Sequence, residues 1–187
     1  MTTRRTRWSL ALCAVTMLFA ALPAASLADG PKVETIRLQD TCDLVSFTAN
    51  PTTTGGCVRD AGNTTAEEFL SKINPKDFGD RAWWFNASGG RNGVTTLRVG
   101  DTLRGTNEGG EIHSFTEVSQ FGGGCLPQFT LPLGLPLRDF ATECLPGFAT
   151  IVLPGQSRDV ANLSVGTHFF QCIIHPWMRQ TIQVRPA

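Results

Sequence analysis

GTHFFQCIIHPWMRQTIQV, Gly166 to Val184, decides how the rest of the chain is read. An apolar run ends in a cysteine, and a histidine and a methionine follow at intervals of three, as Cys172, His175 and Met178. Either these side chains belong to a core strand and meet by accident of packing, or a loop turns three soft ligands onto one metal. Thiolate with imidazole selects zinc or copper, and two histidines, one cysteine and a weak axial thioether make a one-electron copper site. The stretch supplies three of those four groups, so the missing one must be a second histidine.

Three histidines are present, His113, His168 and His175. His168 stands four residues before Cys172 on the same run, about 13 Å along a strand, too far to share one ion. His113 closes DTLRGTNEGGEIH, a strand, a turn at 107–110 and a return. A lone histidine there reads as structural, but with C-x-x-H-x-x-M downstream it becomes the candidate ligand.

Outward from the motif, AWWF, TTLRVG, DTLRGTN, EIHSFTEV, ATIVLPG, GTHFFQC and RQTIQVRP are short strand-like runs broken by glycine, with no helical period between them. Such spacing indicates an all-β, antiparallel sandwich or barrel. Phe121 to Phe148, rich in glycine and proline and holding two cysteines, reads as an inserted loop pinned by a disulfide. Upstream, VETIRLQD is a short strand. In TTAEEFLSKINPKDF, Thr65 and Glu68 form a capping box, and Ala66, Phe69, Leu70 and Ile73 make one apolar face. These predict a helix from Ala66 to Ile73 that ends before Pro75.

At the start, Arg4, Arg5 and Arg7 precede an apolar run from Trp8 to Leu22, and small residues stand at Ser26 and Ala28. This reads as an export signal over 1–28, with a run shorter than the ~20 residues of a spanning helix. A general signal fits better than a twin-arginine one. The mature chain is expected in the periplasm or secreted, with no membrane span. Losing the signal removes three arginines and no acid, leaving 13 basic against 16 acidic residues and a net charge of −3. Nothing in that balance points to nucleic acid, and the remaining length suits one domain.

Five cysteines remain after Cys13 leaves with the signal, and an odd count in an oxidising compartment implies one free thiol or ligand. Cys42 and Cys57 bracket a Thr/Gly-rich loop, Cys125 and Cys144 a Pro/Leu-rich one, and Cys172 stands alone inside the motif. Position therefore pairs the first four and leaves Cys172 free.

LRVGDTLRGTNEGGEIHSF followed by GTHFFQCIIHPWM resembles the cupredoxins, the small blue copper proteins such as plastocyanin, pseudoazurin and amicyanin. Gly100, Asp101, Thr102 and Asn107 match the strand leading to the family's first copper histidine. Gly166, Thr167, Phe170 and Cys172 match the strand leading to its second cluster, and the short C-x-x-H-P-x-M loop is most similar to the amicyanin type. The resemblance implies a Greek-key β-sandwich holding one type 1 copper ion on His113, Cys172 and His175, with Met178 axial. It covers about 80–187, departs from the family at His168 and in the 121–148 insertion, and leaves 29–79 as an N-terminal extension with one helix and a disulfide loop.

An oxidase or reductase of related fold needs further copper centres, and the one histidine left over cannot build one. A thiol enzyme using Cys172 and His175 would leave His113 and Met178 without a purpose. The expectation is a non-enzymatic, monomeric electron carrier, the alternative a protein that binds or delivers copper without shuttling electrons. Ile173, Ile174, Pro176 and Trp177 are expected around an exposed edge of His175. They would form a docking patch for a redox partner, or turn inward to keep water off the metal.

Overall fold

Residues 30–53, 55–73, 83–87 and 90–186 are described by a computed structural model, so the expected export signal over 1–28 lies outside the described residues. In chain order the strands are β1 Val33–Asp40, β2 Trp83–Ala87, β3 Gly90–Arg91, β4 Val94–Arg98, β5 Thr102–Asn107, β6 His113–Ser114, β7 Thr116–Val118, β8 Ile151–Val152, β9 Ser157–Val160, β10 Gly166–Gln171 and β11 Arg179–Arg185. One five-stranded sheet runs β3-β2-β1-β5-β9, a four-stranded sheet runs β4-β11-β10-β7, and β6 pairs with β8.

Alternation sets which face of each strand is buried: β4, β5 and β11 each bury every second residue, as period-2 side-chain direction requires. Ile36, Leu38, Phe85 and Leu103 from one sheet and Leu97, Phe170, Ile182 and Val184 from the other are buried in one apolar cluster. Each such side chain contributes about 1.5–3 kcal/mol on leaving water. The sheets are mixed, which corrects the antiparallel expectation: β1 pairs with β5 and β4 with β11 in parallel.

Residues 30–53 and 55–73 are built into this body. β1 lies between β2 and β5, at the centre of its sheet. After it come two helices where one was expected, α1 Leu44–Ala49 and α2 Ala66–Lys72. Asp43 caps α1 by accepting from Ser46 N, and the capping box of α2 forms as predicted, Thr65 and Glu68 accepting from each other's backbone N–H. Disulfides join Cys42 to Cys57 and Cys125 to Cys144, and Cys172 is free and buried.

The 121–148 insertion is helical rather than a bare loop. It holds α3 Pro127–Thr130 and a run of short helical turns that starts at Phe140 and continues past its end to Thr150. Among the described residues no helix is long and apolar enough to cross a membrane.

Candidate metal centre

Cys172 leaves the end of β10, and the chain returns into β11 after Met178, so the whole motif is the loop between two paired strands. Cys172 N donates to Met178 O at 3.0 Å and Met178 N to His175 O at 3.0 Å, which closes the loop on itself. The Cys172 sulfur accepts from the amides of Ser114 at 3.3 Å and His175 at 3.4 Å. Ser114 Oγ in turn accepts from Ile173 N at 2.8 Å, tying the loop to β6.

β6 delivers His113 to this loop. The preceding turn is shaped by Asn107, fully buried, whose amide donates to Glu111 O and Val152 O and whose carbonyl accepts from Gly109 N. Gly109 is required by close approach, since a Cβ there would lie 1.9 Å from Asp40 Oδ2. The disulfide segment clamps the same turn: Arg59 donates to Gly109 O and Glu108 O, and Val58 N to Gly110 O.

The structure brings His113, Cys172 and His175 together, one ligand atom of each lying within 4.8 Å of the others, all three residues buried. His175 Nδ1 is 3.9 Å from Cys172 Sγ and 3.3 Å from His113 Nδ1. Met178 is fully buried in the same loop. His168 stays apart, its Nδ1 2.6 Å from Glu117 Oε1 and its Nε2 2.8 Å from Ser164 O.

Two carboxylates absent from the sequence-based site back the imidazoles. Asp40 Oδ2 is 2.9 Å from His113 Nε2, and the same carboxylate accepts from the amides of Cys42, Gly110 and Glu111. Glu111 Oε2 is 3.2 Å from His175 Nε2 and accepts from Trp83 Nε1. The Glu111 contact is off the N–H line, so His175 Nε2 has a carboxyl group beside it but no aligned hydrogen bond. Alternation along 111–113 placed Glu111 on the same face as His113 and was the available signal; Asp40 carried none beyond its place before Cys42.

Burial opposes ionisation of Asp40, yet the hydrogen bond and charge of His113, with the amides of Glu111 and Gly110, bring its carboxyl down to about 2. Burial would likewise lower His113, but Asp40 and the Cys172 sulfur hold its imidazolium well above the ordinary range. The Cys172 thiol, opposed by burial, is drawn well below its usual value by His113 and His175. Glu111 goes the other way, its carboxyl raised by burial that His175, His113 and Trp83 only partly offset. His113 and His175 thus favour the thiolate form that a metal requires.

His175 has no exposed edge, which corrects the expectation of one: the residue is 1 % exposed. Rings of Phe69 from α2, Phe129 from α3 and Trp177 stand 6.1, 5.4 and 5.4 Å from its own. Ile173 and Trp177 are turned inward, while Ile174 is half-buried. α2 and the insertion therefore roof the site together.

No protein-family model and no curated protein matches the chain. Among solved structures it is similar to a purple cupredoxin from Nitrosopumilus maritimus, at 15% identity over 60% of this chain and 95% of that one, with a TM-score of 0.37. It is also similar to a variant of amicyanin in its Cu(I) form, at 20% identity over 49% of this chain and 69% of that one, with a TM-score of 0.31. At such scores the site has to be argued from its own residues.

Proposed function

We propose that the chain holds one copper ion on His113, Cys172 and His175, with Met178 as a weak axial ligand, and exchanges single electrons with a redox partner outside the cytoplasm. The observation that carries this reading is one buried thiol and two buried imidazoles with ligand atoms within 4.8 Å of one another. The donor set is soft, mixed N/S and short of the four thiolate or imidazole ligands of a structural zinc site, which fits copper. Copper, when bound, supplies the one-electron couple.

The chain's own groups do the rest. Asp40 fixes the outer edge of the His113 imidazole, and Glu111 sets a carboxyl beside His175 Nε2. The amides of Ser114 and His175 steady the sulfur. Phe69, Phe129 and Trp177 exclude water. Complete burial of His113 and Cys172 favours retention of the ion over delivery to another protein, which would need a ligand a recipient can reach. A partner would meet the half-buried rim of Ile112, Leu126 and Ile174 rather than His175 itself.

Absorption spectroscopy of the Cu(II)-loaded protein tests the reading. The parent should show thiolate-to-copper charge-transfer colour that bleaches on reduction. Cys172→Ser should abolish the colour, His113→Ala should open or lose the site, and Met178→Leu should keep copper at a higher potential. A colourless protein that takes up zinc and copper alike, with Cys172→Ser indistinguishable from the parent, would overturn it.

A further inference from the structure

A cleft of about 250 Å³ lies between Thr52, Thr53, Gly55 and Gly56 of the disulfide loop and α3, and Glu111 and His175 are among its lining residues. Its other lining residues include Thr53, Gly56, Leu126 and Phe129, and Glu111 is the single acidic residue among the described residues of the lining. The Gly56 backbone closes against Glu111, where a Cβ would come 2.8 Å from Glu111 Oε1. Glu111 Oε2 faces His175 Nε2, on the edge of the ring opposite the Nδ1 that meets Cys172 and His113. A neutral cleft thus ends on one carboxylate, and that carboxylate touches a candidate metal ligand.

We infer that this cleft is the path by which a divalent metal ion reaches the centre, with Glu111 as the first protein group to hold it. The inference rests on the proposed function, since it needs His175 to be a ligand. A carboxylate oxygen is a hard donor that can replace a water on the hydrated ion, and it holds a borderline-soft ion less tightly than thiolate and imidazole do. The ion therefore passes inward from oxygen to the mixed N/S set. His175, between the carboxylate and Cys172, is the side chain that must swing to let it through. The remaining waters are shed to the cleft, and no electron moves.

Stopped-flow uptake of Co(II) by the metal-free protein tests the path, read by cobalt–thiolate absorbance. Glu111→Gln keeps the shape and removes the acidic oxygen, while Gln128→Trp fills the exposed rim without touching a ligand. Each should slow uptake roughly tenfold or more; Gln128→Trp should also leave the final spectrum that of the parent, whereas Glu111→Gln, which lies beside His175, is read by its uptake rate alone. Glu143→Gln, outside the cleft lining, should load at the parental rate. Parental rates in both cleft variants would overturn the path, and slowing by Glu111→Gln alone would overturn it too, since the acidic oxygen but not the cleft would then matter. Slowing by Gln128→Trp alone would remove Glu111 from the path. A parent that takes up no Co(II), Cu(II) or Zn(II) would instead bring down the proposed function, and this inference with it.

Discussion

Replacing Asp40 by Asn leaves volume almost unchanged and removes one charge at the most connected buried group of the site. Its two oxygens accept from Cys42 N at 3.2 Å, Gly110 N at 2.9 Å and Glu111 N at 3.0 Å, and meet His113 Nε2 at 2.9 Å. Each oxygen serves two of these four contacts, so an amide NH₂ in either orientation turns a pair of acceptor contacts into donor facing donor. Unsatisfied buried donors cost about 1–3 kcal/mol each, which puts the variant about 2–6 kcal/mol below the parent. For a chain of this size that corresponds to a fall in Tm of roughly 10 °C. The metal-free protein, followed by circular dichroism, reads this part without any assumption about copper. A second readout is metal affinity, which should fall by about 10–100-fold when the group orienting a ligand imidazole is weakened. Competition with a chelator measures it. Unchanged Tm together with unchanged affinity would mean that Asp40 neither knits the 107–111 turn nor orients His113.

Phe69→Ala removes the ring from between Trp83, Phe129 and Trp177 and should cost about 3–5 kcal/mol, whereas Val45→Ala on exposed α1 should stay within about 0.5 kcal/mol; chemical denaturation separates the two. Serine at both Cys125 and Cys144 should cost about 3 kcal/mol and admit protease cleavage within 121–148 before the sheets are cut, as peptide mapping of a time course would show. Burial works against the charge on His168, but Glu117 and Ser164 O raise its pKa above the ordinary 6.5. A raised imidazole stabilises fully below that value and loses its effect as pH climbs through the shifted one. The Tm advantage of the parent over His168→Phe should therefore shrink as pH rises above 6.5, and the copper spectrum of the variant should match the parent's; a pH-independent difference would refute the pairing.

What the sequence made legible was chemistry at short range. Cys172, His175 and Met178 are read from one loop, Thr65 and Glu68 from one helical turn, and each disulfide closes a loop visible as a composition change. Contacts that depend on strand order were not legible. Asp40 reaches the site because Leu38 pairs with Asn107, which lays the end of β1 beside the 107–113 turn, and no local pattern encodes that register. The roof over His175 was missed for the same reason, its rings coming from Phe69 and Phe129, each in a segment outside the motif. In the insertion, Pro127, Pro132 and Pro146 read as loop signals, yet each sits in the first turn of a short helical element, where its missing N–H costs nothing.

The order of strands also says when this chain can fold. β1 holds the centre of one sheet and pairs in parallel with β5, Val33 against Thr102, while β11 is interior to the other and pairs in parallel with β4, Thr181 against Val94. Neither sheet is whole until a distant segment arrives, so no early portion can settle by itself, and pairings over such separations are slow to close. Refolding from denaturant should take milliseconds to seconds, and a chain ending at Gln171 should remain unfolded. The proposed copper ligands Cys172, His175 and Met178, in the loop between β10 and β11, should therefore take their places only as β11 docks, so that the finished sandwich is the species expected to meet a metal.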